Sequence, residues 1–288
     1  MTTFDSNSKT LSQFLTDHPR LTVLTGAGIS AASGIPTYRD HAGNWQSLTP
    51  IQHQDFISDG HTRQRYWARS WYGWPLIRDA QPNAVHFALL ALERAGQVEA
   101  LITQNVDGLH DRAGSQLAID LHGRVDRVCC LDCAAFFHRQ DVQEQLAAEN
   151  KWPAITRDNA RPDGDWDIPD HIIKSVHPPQ CQQCGGTLMP DVVFFGGSVA
   201  RPKVKKCLDA VAVSNALLVV GSSLSVYSGF RFCRHAHKLG VPIGIINTGP
   251  TRADELALMS ITDDAATVLQ SAIQPLNASA NQSTDTQN

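Results

Sequence analysis

The feature that most constrains the fold is a strand-forming run followed at once by a glycine turn, in residues 21–39, LTVLTGAGISAASGIPTYR. The apolar run at its start has the length of one buried strand. Gly26 and Gly28 then allow left-handed backbone and a close approach to a ligand. Ser30 is predicted to cap a helix whose unpaired N–H groups hold an anion. A strand, a glycine turn and a helix start in this order are typical of a nucleotide-binding α/β fold.

The same segment departs from the dinucleotide fingerprint of common dehydrogenases. The pattern Gly26-x-Gly28-x-x-Ala31 fits that fingerprint, but Pro36 soon ends any helix. The chain continues as a polar loop that can fold over a bound nucleotide, with Arg39 reaching a phosphate. A tight strand–helix turn without a ligand explains the pattern equally well, so the prediction needs support from the rest of the chain.

Composition narrows the class of protein. A net charge of −4 over 288 residues gives no reason to expect nucleic acid or an acidic membrane as the main partner. No window approaches the roughly 18 apolar residues that span a bilayer. The N-terminus has no apolar signal core and carries Asp5 without an arginine, so neither a secretion signal nor a transit peptide is expected. We therefore expect a cytoplasmic protein.

Strand-like apolar runs alternate with helical patterns along most of the chain. The predicted strands lie at 21–24, 100–103, 119–123, 192–196, 217–221 and 242–247. The predicted helices lie at 11–15, 86–92, 203–213 and 230–239, after a loose polar N-terminus at 1–10. This alternation predicts an α/β fold, a Rossmann-like doubly wound parallel sheet with a smaller inserted zinc-binding module and a helical module.

We expect one catalytic domain, 1–288, made of these parts. The sheet domain is predicted to comprise residues 11–50, 80–127 and 190–275. An arginine- and tryptophan-rich helical module takes 51–79, and a cysteine-bearing module takes 128–189. The polar residues 276–288 are predicted to be a disordered tail.

Two C-x-x-C motifs carry the strongest local signal, Cys130 with Cys133 and Cys181 with Cys184. Four thiolates in this pattern predict one tetrahedral zinc ion. Because four protein ligands leave no open position, that zinc is expected to be structural. Cys129 is an alternative to Cys130 as a ligand, and four free or redox-active cysteines are the alternative to a metal.

Small polar residues follow four of the predicted strands, at the edge where open α/β sheets bind ligands. Asn105 and Asp107 follow the second strand, and His122 follows the third, where a neutral imidazole can accept a proton near pH 7. The later strands end in 221–223, Gly-Ser-Ser, and 247–249, Asn-Thr-Gly. Each feature alone has a structural explanation, such as a capped turn or a satisfied histidine. Together they indicate a nucleotide site.

In this order the motifs resemble those of the sirtuin family, over about residues 11–270. The motifs are GAGIS at 26–30, SGIP at 33–36, Tyr38-Arg39, QNVD at 104–107, LHG at 121–123, the paired C-x-x-C, GSS at 221–223 and Asn247-x-Gly249. The segments 63–74, 190–196 and 249–252 are similar to class II sirtuins, the branch of the mitochondrial sirtuin-4-like proteins.

The resemblance implies an NAD-dependent protein-lysine deacylase that releases nicotinamide and O-acyl-ADP-ribose, with NAD as cosubstrate and one structural zinc. It implies that His122 is the general base on the ribose hydroxyls. Asn105 would orient the ribose and a water, and Asp107 would contact the nicotinamide carboxamide. The implied NAD contacts are Gly26, Ala27, Gly28, Ser30, Tyr38, Arg39, Trp45, Gln104, Asn105, Asp107, Gly221, Ser222, Ser223, Asn247, Thr248, Gly249 and Ala265.

The resemblance also implies that acyl-lysine protein substrates bind as an added strand, between the segment after Val193 and that near Val226. The implied substrate contacts are Tyr66, Arg69, Val193, Phe194, Phe195, Gly196 and Val226. Tyr66 and Arg69 resemble the pair that accommodates acidic acyl chains in some sirtuins, since an arginine pairs with a terminal carboxylate. The alternative is that Arg69 packs its stem on tryptophans and points to solvent. The insert at about 151–180 borders the acyl channel in this interpretation.

Other functions remain open from the sequence. The nearest is NAD-dependent mono-ADP-ribosyl transfer to protein, and another is a non-catalytic NAD-binding regulatory module. A zinc-containing dehydrogenase is disfavoured by Pro36, and a zinc-ribbon nucleic-acid binder by the acidic charge balance. We expect a monomer without nucleic-acid or membrane partners.

Overall fold

The computed structural model describes residues 3–37, 50–155, 160–161 and 165–273. Its strands are β1 (Leu21–Thr25), β2 (Val98–Thr103), β3 (Ala118–Asp120), β4 (Gly123–Cys130), β5 (Phe136–His138), β6 (Ala160–Arg161), β7 (Asp165–Trp166), β8 (Leu188–Val192), β9 (Ala216–Val220), β10 (Ile243–Ile246) and β11 (Met259–Ile261). Its α-helices are α1 (Thr3–Asp17), α2 (His53–Ser58), α3 (Gly60–Asp79), α4 (Ala84–Arg94), α5 (Leu109–Ala113), α6 (Arg139–Glu149), α7 (Asp170–Ser175), α8 (Arg201–Val213) and α9 (Tyr227–Leu239). Two 3₁₀ helices span Ala27–Ser33 and Asp254–Leu256, and residues 265–273 are also helical.

A parallel sheet forms the centre of the described chain, with strand order β11-β10-β9-β1-β2-β3. The central strand β1 is buried along its whole length. Because its side chains alternate, Val23 packs on the face with α1 and α4, whereas Leu24 packs on the face with α8 and α9. The predicted doubly wound α/β class is confirmed.

A second, antiparallel sheet has the order β5-β4-β8 and lies beside α6. Residues 192–196 were predicted to lie in the large sheet, and this prediction was wrong. Residues 188–192 instead pair with β4, because the chain returns there after the cysteine-bearing segment. A short hairpin of β6 and β7 packs on α3.

Three further expectations about local structure need correction. Residues 3–10 belong to α1, because Ser6, Lys9 and Thr10 lie on the exposed side of a helix whose apolar side includes Leu11 and Phe14. The third strand ends at Asp120, so His122 lies in the turn before β4. The short edge strand β11 was missed, since three residues are too few to show a period. The predicted tail, 276–288, lies outside the described residues.

In the described part of the chain, no helix is both long enough and apolar enough to cross a membrane.

Candidate functional site

A glycine cradle joins the end of β1 to the end of β9. The N–H of Gly28 donates to the carbonyl of Gly221 at 2.9 Å. A Cβ atom on Gly28 would lie 2.8 Å from that carbonyl oxygen, and one on Gly26 would lie 2.7 Å from the Cβ of Ser222. The expected left-handed backbone is absent here, since Gly26 has φ −139° and Gly28 also lacks a positive φ. These glycines serve close packing between two strand ends.

Ser30 does not cap the helix as predicted. The 3₁₀ helix begins after Gly26, so Ser30 lies inside it and is buried. Its Oγ donates to Asp107 Oδ2 at 2.7 Å and accepts from Asn105 Nδ2 at 3.0 Å. The hydroxyl therefore connects the first glycine turn to the two polar residues after β2.

Asn105 and Asp107 are held on several sides. Asn105 Nδ2 also donates to the Gly26 carbonyl at 3.1 Å, and Asp107 Oδ1 accepts from the N–H of Leu109 at 2.9 Å. Both side chains are buried, 7% exposed each. A carboxylate and a carboxamide are thus fixed beside the cradle, where their orientation is set before any ligand binds.

Gln104 links this group to the far side of the cradle. Its Nε2 donates to Ser222 Oγ at 2.8 Å. Gly229 of α9 lies against the same side chain, since a Cβ there would be 2.7 Å from Gln104 Oε1. The first turn of α9 is therefore part of the site.

His122 lies between two hydrogen-bond partners. Its Nδ1 is 2.9 Å from the Gln104 carbonyl and its Nε2 is 2.8 Å from Ser228 Oγ. Because a carbonyl oxygen only accepts, we assign the proton to Nδ1, and the Ser228 hydroxyl then donates to the lone pair on Nε2. Burial lowers the pKa of His122, the bond to Gln104 opposes this, and the nearby charges of Lys203 and Arg231 lower it further. The imidazole is a neutral base near pH 7.

The remaining predicted NAD contacts line the same edge farther along. The N–H of Gly221 donates to the Ile246 carbonyl at 2.9 Å, so the β9 and β10 ends are adjacent. Asn247 donates to the Gly249 carbonyl at 2.8 Å, within the turn that includes Thr248. Ser223 Oγ lies 3.0 Å from Ser225 Oγ. Ala265 begins the helical residues after β11, packed on the α1 face.

Three predicted contacts, Tyr38, Arg39 and Trp45, lie outside the described residues.

The predicted substrate edge starts directly beside the histidine. The N–H of Val193 donates to the His122 carbonyl at 2.8 Å. Phe194 packs edge-on against Tyr66 of α3, with ring centroids 5.3 Å apart. Phe195 is bridged to the segment before α2, and Gly196 has φ +74°. Val226 precedes α9 and is 45% exposed.

Arg69 does not point to solvent. The alternative interpretation, in which its guanidinium is exposed, was therefore wrong on this point. Its side chain is 4% exposed, and its Nε donates to the Trp166 carbonyl at 3.0 Å. Trp166 belongs to the insert whose β7 strand packs on α3. The insert therefore buries a guanidinium three residues from Tyr66.

The four predicted zinc ligands come together. The Sγ atoms of Cys130, Cys133, Cys181 and Cys184 all lie within 4.8 Å of one another. The Cys130–Cys184 and Cys133–Cys181 pairs are 3.6 and 3.7 Å apart. A tetrahedral zinc with bonds of about 2.3 Å requires sulfur atoms about 3.8 Å apart, so this set fits one structural zinc. Cys129 is no substitute, because alternation along β4 directs it to the other side, against Met189.

Comparison with known proteins agrees with this geometry. The model of the Sir2 family matches residues 26–228. An NAD-dependent protein deacetylase of Xanthomonas axonopodis pv. citri is 50% identical over 261 residues, which cover 90% of this chain and 89% of that protein. The NAD-dependent protein deacylase Sirt4 of Drosophila melanogaster is 44% identical over 268 residues, covering 92% and 86%. The chain belongs to the Sir2, or sirtuin, family.

Solved structures of the family superpose on most of the chain. One described as "Sir2-p53 peptide-NAD+" has a TM-score of 0.75 at 27% identity, covering 94% of this chain and 98% of that one. A second, "Structure of Sir2Tm bound to a propionylated peptide", has a TM-score of 0.73 at 27% identity, covering 93% and 98%. The sirtuin resemblance seen in the motifs is confirmed.

Ser228, the partner of His122 Nε2, was not predicted from the sequence. A serine in the first turn of a helix is ordinarily an end cap, so nothing in its type singled it out. Its position in the sequence could have indicated it, because Ser228 follows the predicted substrate contact Val226 by two residues.

Proposed function

We propose that this chain is an NAD-dependent protein-lysine deacylase, which releases nicotinamide and forms O-acyl-ADP-ribose. The observation that carries the proposal is a neutral His122 with a directed Nε2 lone pair, on the same sheet edge as the glycine cradle. The names of the relatives, NAD-dependent protein deacetylases and deacylases, support it.

The residues present fit NAD. The ligand offers phosphates, ribose hydroxyls and a carboxamide, and the cradle places backbone N–H groups, hydroxyls and a buried Asn105–Asp107 pair along one edge. We assign the phosphates to 26–30 and the nicotinamide carboxamide to Asp107. The adenosine side is assigned to 222–223, 247–249 and Ala265. When bound, NAD supplies the ADP-ribosyl group that takes over the acyl group while nicotinamide leaves.

His122 holds and moves the proton. Its Nδ1–H bond to Gln104 fixes the tautomer and directs the Nε2 lone pair into the site. A ribose hydroxyl takes the place of the Ser228 hydroxyl on that lone pair and gives up its proton. Asn105, fixed by Gly26 and Ser30, positions the ribose and a water without any change of rotamer. A base with a lowered pKa stays unprotonated at neutral pH, as this role requires.

The substrate is proposed to add as an extended strand between Val193–Gly196 and Val226. The position of Val193 supports this, because its bond to the His122 carbonyl places the edge next to the base. The described peptide complexes of related structures, with p53 and propionylated peptides, are consistent with such binding.

We further propose that the acyl pocket accepts chains ending in a carboxylate. Arg69 is buried three residues after Tyr66 on α3, and the ring of Tyr66 packs on Phe56 and Phe194. A guanidinium attracts a carboxylate more strongly in a low-dielectric pocket than in water, and it can hold the carboxylate by two hydrogen bonds. The modules defined above, the monomeric state and the cytoplasmic location also stay predictions.

The test measures nicotinamide release with peptides bearing acetyl-, succinyl-, glutaryl-, branched glutaryl- and lipoyl-lysine. Wild type is compared with His122→Ala and with the control His171→Ala, an exposed histidine of α7. We expect release only with an acyl peptide, lost in His122→Ala and kept in His171→Ala. Arg69→Met is expected to lose the acidic acyl chains selectively. Nicotinamide release in the absence of an acyl peptide, together with transfer of label from labelled NAD to protein, would indicate ADP-ribosyl transfer instead.

A further inference from the structure

Two neighbouring helices of this acidic chain carry a clear net positive charge. Helices α8 and α9 together contain seven lysines and arginines and one aspartate. The whole chain has 24 basic and 28 acidic residues, so the remainder is strongly acidic. Both helices pack on the same face of the sheet and contact each other. The sheet face thus presents a cationic surface on a chain of opposite net charge.

A groove of about 900 Å³ runs along this surface. We call it the α8–α9 groove; its floor includes Val204, Leu208 and Leu256, and its rim includes Arg231, Arg234 and Lys238. A second depression of about 550 Å³ shares Val204 and Leu208 and continues toward Lys205 and Arg201. An apolar floor between basic rims is the complement of an amphipathic segment with acidic flanks.

The two rim arginines lie against an aromatic ring and have no acidic partner among the described residues. The guanidinium of Arg231 lies 5.3 Å from the ring of Tyr227, and that of Arg234 lies 6.0 Å from it. Among the described residues, neither arginine nor Lys238 has a carboxylate within 4.0 Å. Because the ring already restricts these two arginine side chains, a carboxylate that binds them loses less free energy to side-chain ordering. The rim is prepared for an anionic partner that the described chain itself does not supply.

The groove begins where the proposed substrate strand ends. Tyr227 is the first residue of α9, is 49% exposed and lines the groove, and Val226 before it borders the substrate edge. A protein chain that leaves this edge therefore reaches the groove directly. A substrate that adds as a strand is bound mostly through its main chain, which gives little sequence selectivity. A groove beside the acyl-lysine site can supply that selectivity by binding substrate side chains.

We propose that the α8–α9 groove docks an acidic amphipathic helix of the protein substrate, adjacent in sequence to the acyl-lysine. This inference rests on the proposed deacylase function and names its preferred substrate class. Nucleic acid fits less well, because phosphates gain nothing from an apolar floor.

The experiment compares two acyl-lysine peptides, one short and neutral and one extended by an acidic amphipathic helix of about 18 residues. A third peptide keeps the acidic residues and replaces the apolar ones by serine. The test variant is Arg234→Glu with Lys238→Glu, both exposed on α9. The matched control is Lys9→Glu with Arg94→Glu, exposed on α1 and α4 across the sheet.

For wild type we expect kcat/KM about tenfold higher for the extended peptide than for the short one, falling with added salt. The α9 variant is expected to lose this advantage and to keep its rate on the short peptide, whereas the control variant keeps both. The serine peptide is expected to show little of the gain. The proposal would be overturned if wild type had equal kcat/KM on all three peptides, or if it showed the full gain with the serine peptide. It would also be overturned if the α9 variant lost activity equally on the short and the extended peptide.

A direct binding measurement separates this proposal from the deacylase function. The labelled acidic helix without any acyl-lysine is titrated with each protein and followed by fluorescence anisotropy. Binding that the α9 variant alone loses supports docking even if no peptide is turned over. Absence of binding, or binding only of a single-stranded oligonucleotide at the same residues, would overturn it.

Discussion

The contact between Ser228 and His122 leads to a quantitative prediction for Ser228→Ala. The Ser228 hydroxyl donates to the neutral Nε2 across 2.8 Å, and once that nitrogen is protonated the hydroxyl can rotate and accept from Nε2–H. The second bond is charge-assisted and is the stronger of the two, so Ser228 favours the protonated imidazole. Without the hydroxyl, protonation becomes harder and the pKa of His122 falls.

The magnitude follows from the difference between a neutral and a charge-assisted hydrogen bond. A difference of about 1 kcal/mol corresponds to a roughly fivefold lower proton affinity of the imidazole in the variant. Since the unprotonated base is the active form, the acidic limb of the kcat/KM profile should move to lower pH by roughly 0.7 pH unit. Burial still lowers the pKa in the variant, so activity at pH 8 is retained.

The assay combines the pH profile of deacylation with an NMR titration of labelled histidine. Ser228→Thr keeps the hydroxyl and should restore the wild-type profile. Ser225→Ala, an exposed serine bonded to Ser223, is the control and should leave the profile unchanged. An unmoved acidic limb in Ser228→Ala, or one moved to higher pH, would refute this account of the hydrogen bond.

Three further predictions concern metal, cradle and pH. Cys130→Ser should abolish the binding of one zinc per chain and lower the Tm, whereas Cys129→Ser should retain the metal, both measured by metal analysis and calorimetry. Gly28→Ala places a Cβ 2.8 Å from a backbone oxygen and should cost about 1–3 kcal/mol of stability and raise the KM for NAD, as urea unfolding and kinetics would register. Burial raises the pKa of Asp120 to about 6 from 3.8, so protonation of this carboxyl stabilises the folded state fully below about pH 4, and this stabilisation is lost by about pH 6. The Tm of Asp120→Asn should therefore rise relative to that of wild type between these two pH values. A Tm difference that stays constant over this interval would contradict the prediction.

Much of the fold was predictable because its signals are local. The runs that became β1, β9 and β10 are short, apolar and bounded by turns, and they need no partner to be recognised. The placement of residues 188–192 was not predictable in this way. Apolar character says that a segment is buried in a sheet, but not which of two sheets pairs with it.

For the candidate site, too, the residues could be predicted from local patterns but their contacts could not. Parallel strands end at one edge, so Asn105, Asp107 and His122 could be grouped from the sequence alone. How they are held could not, because Ser30 reaches Asp107 only through the packing of two turns far apart in the chain. The same holds for Arg69, whose burial depends on a hairpin of the insert.

The sequence by itself determined the family, the four cysteines and the order of the nucleotide-binding motifs. These depend on residue type and spacing along the chain, which the sequence states directly. Only the tertiary structure decided that Ser228 bonds the histidine and that two basic helices enclose an apolar groove. Both depend on distances between segments that are remote in sequence, and such distances are set by how the whole core packs rather than by any local pattern.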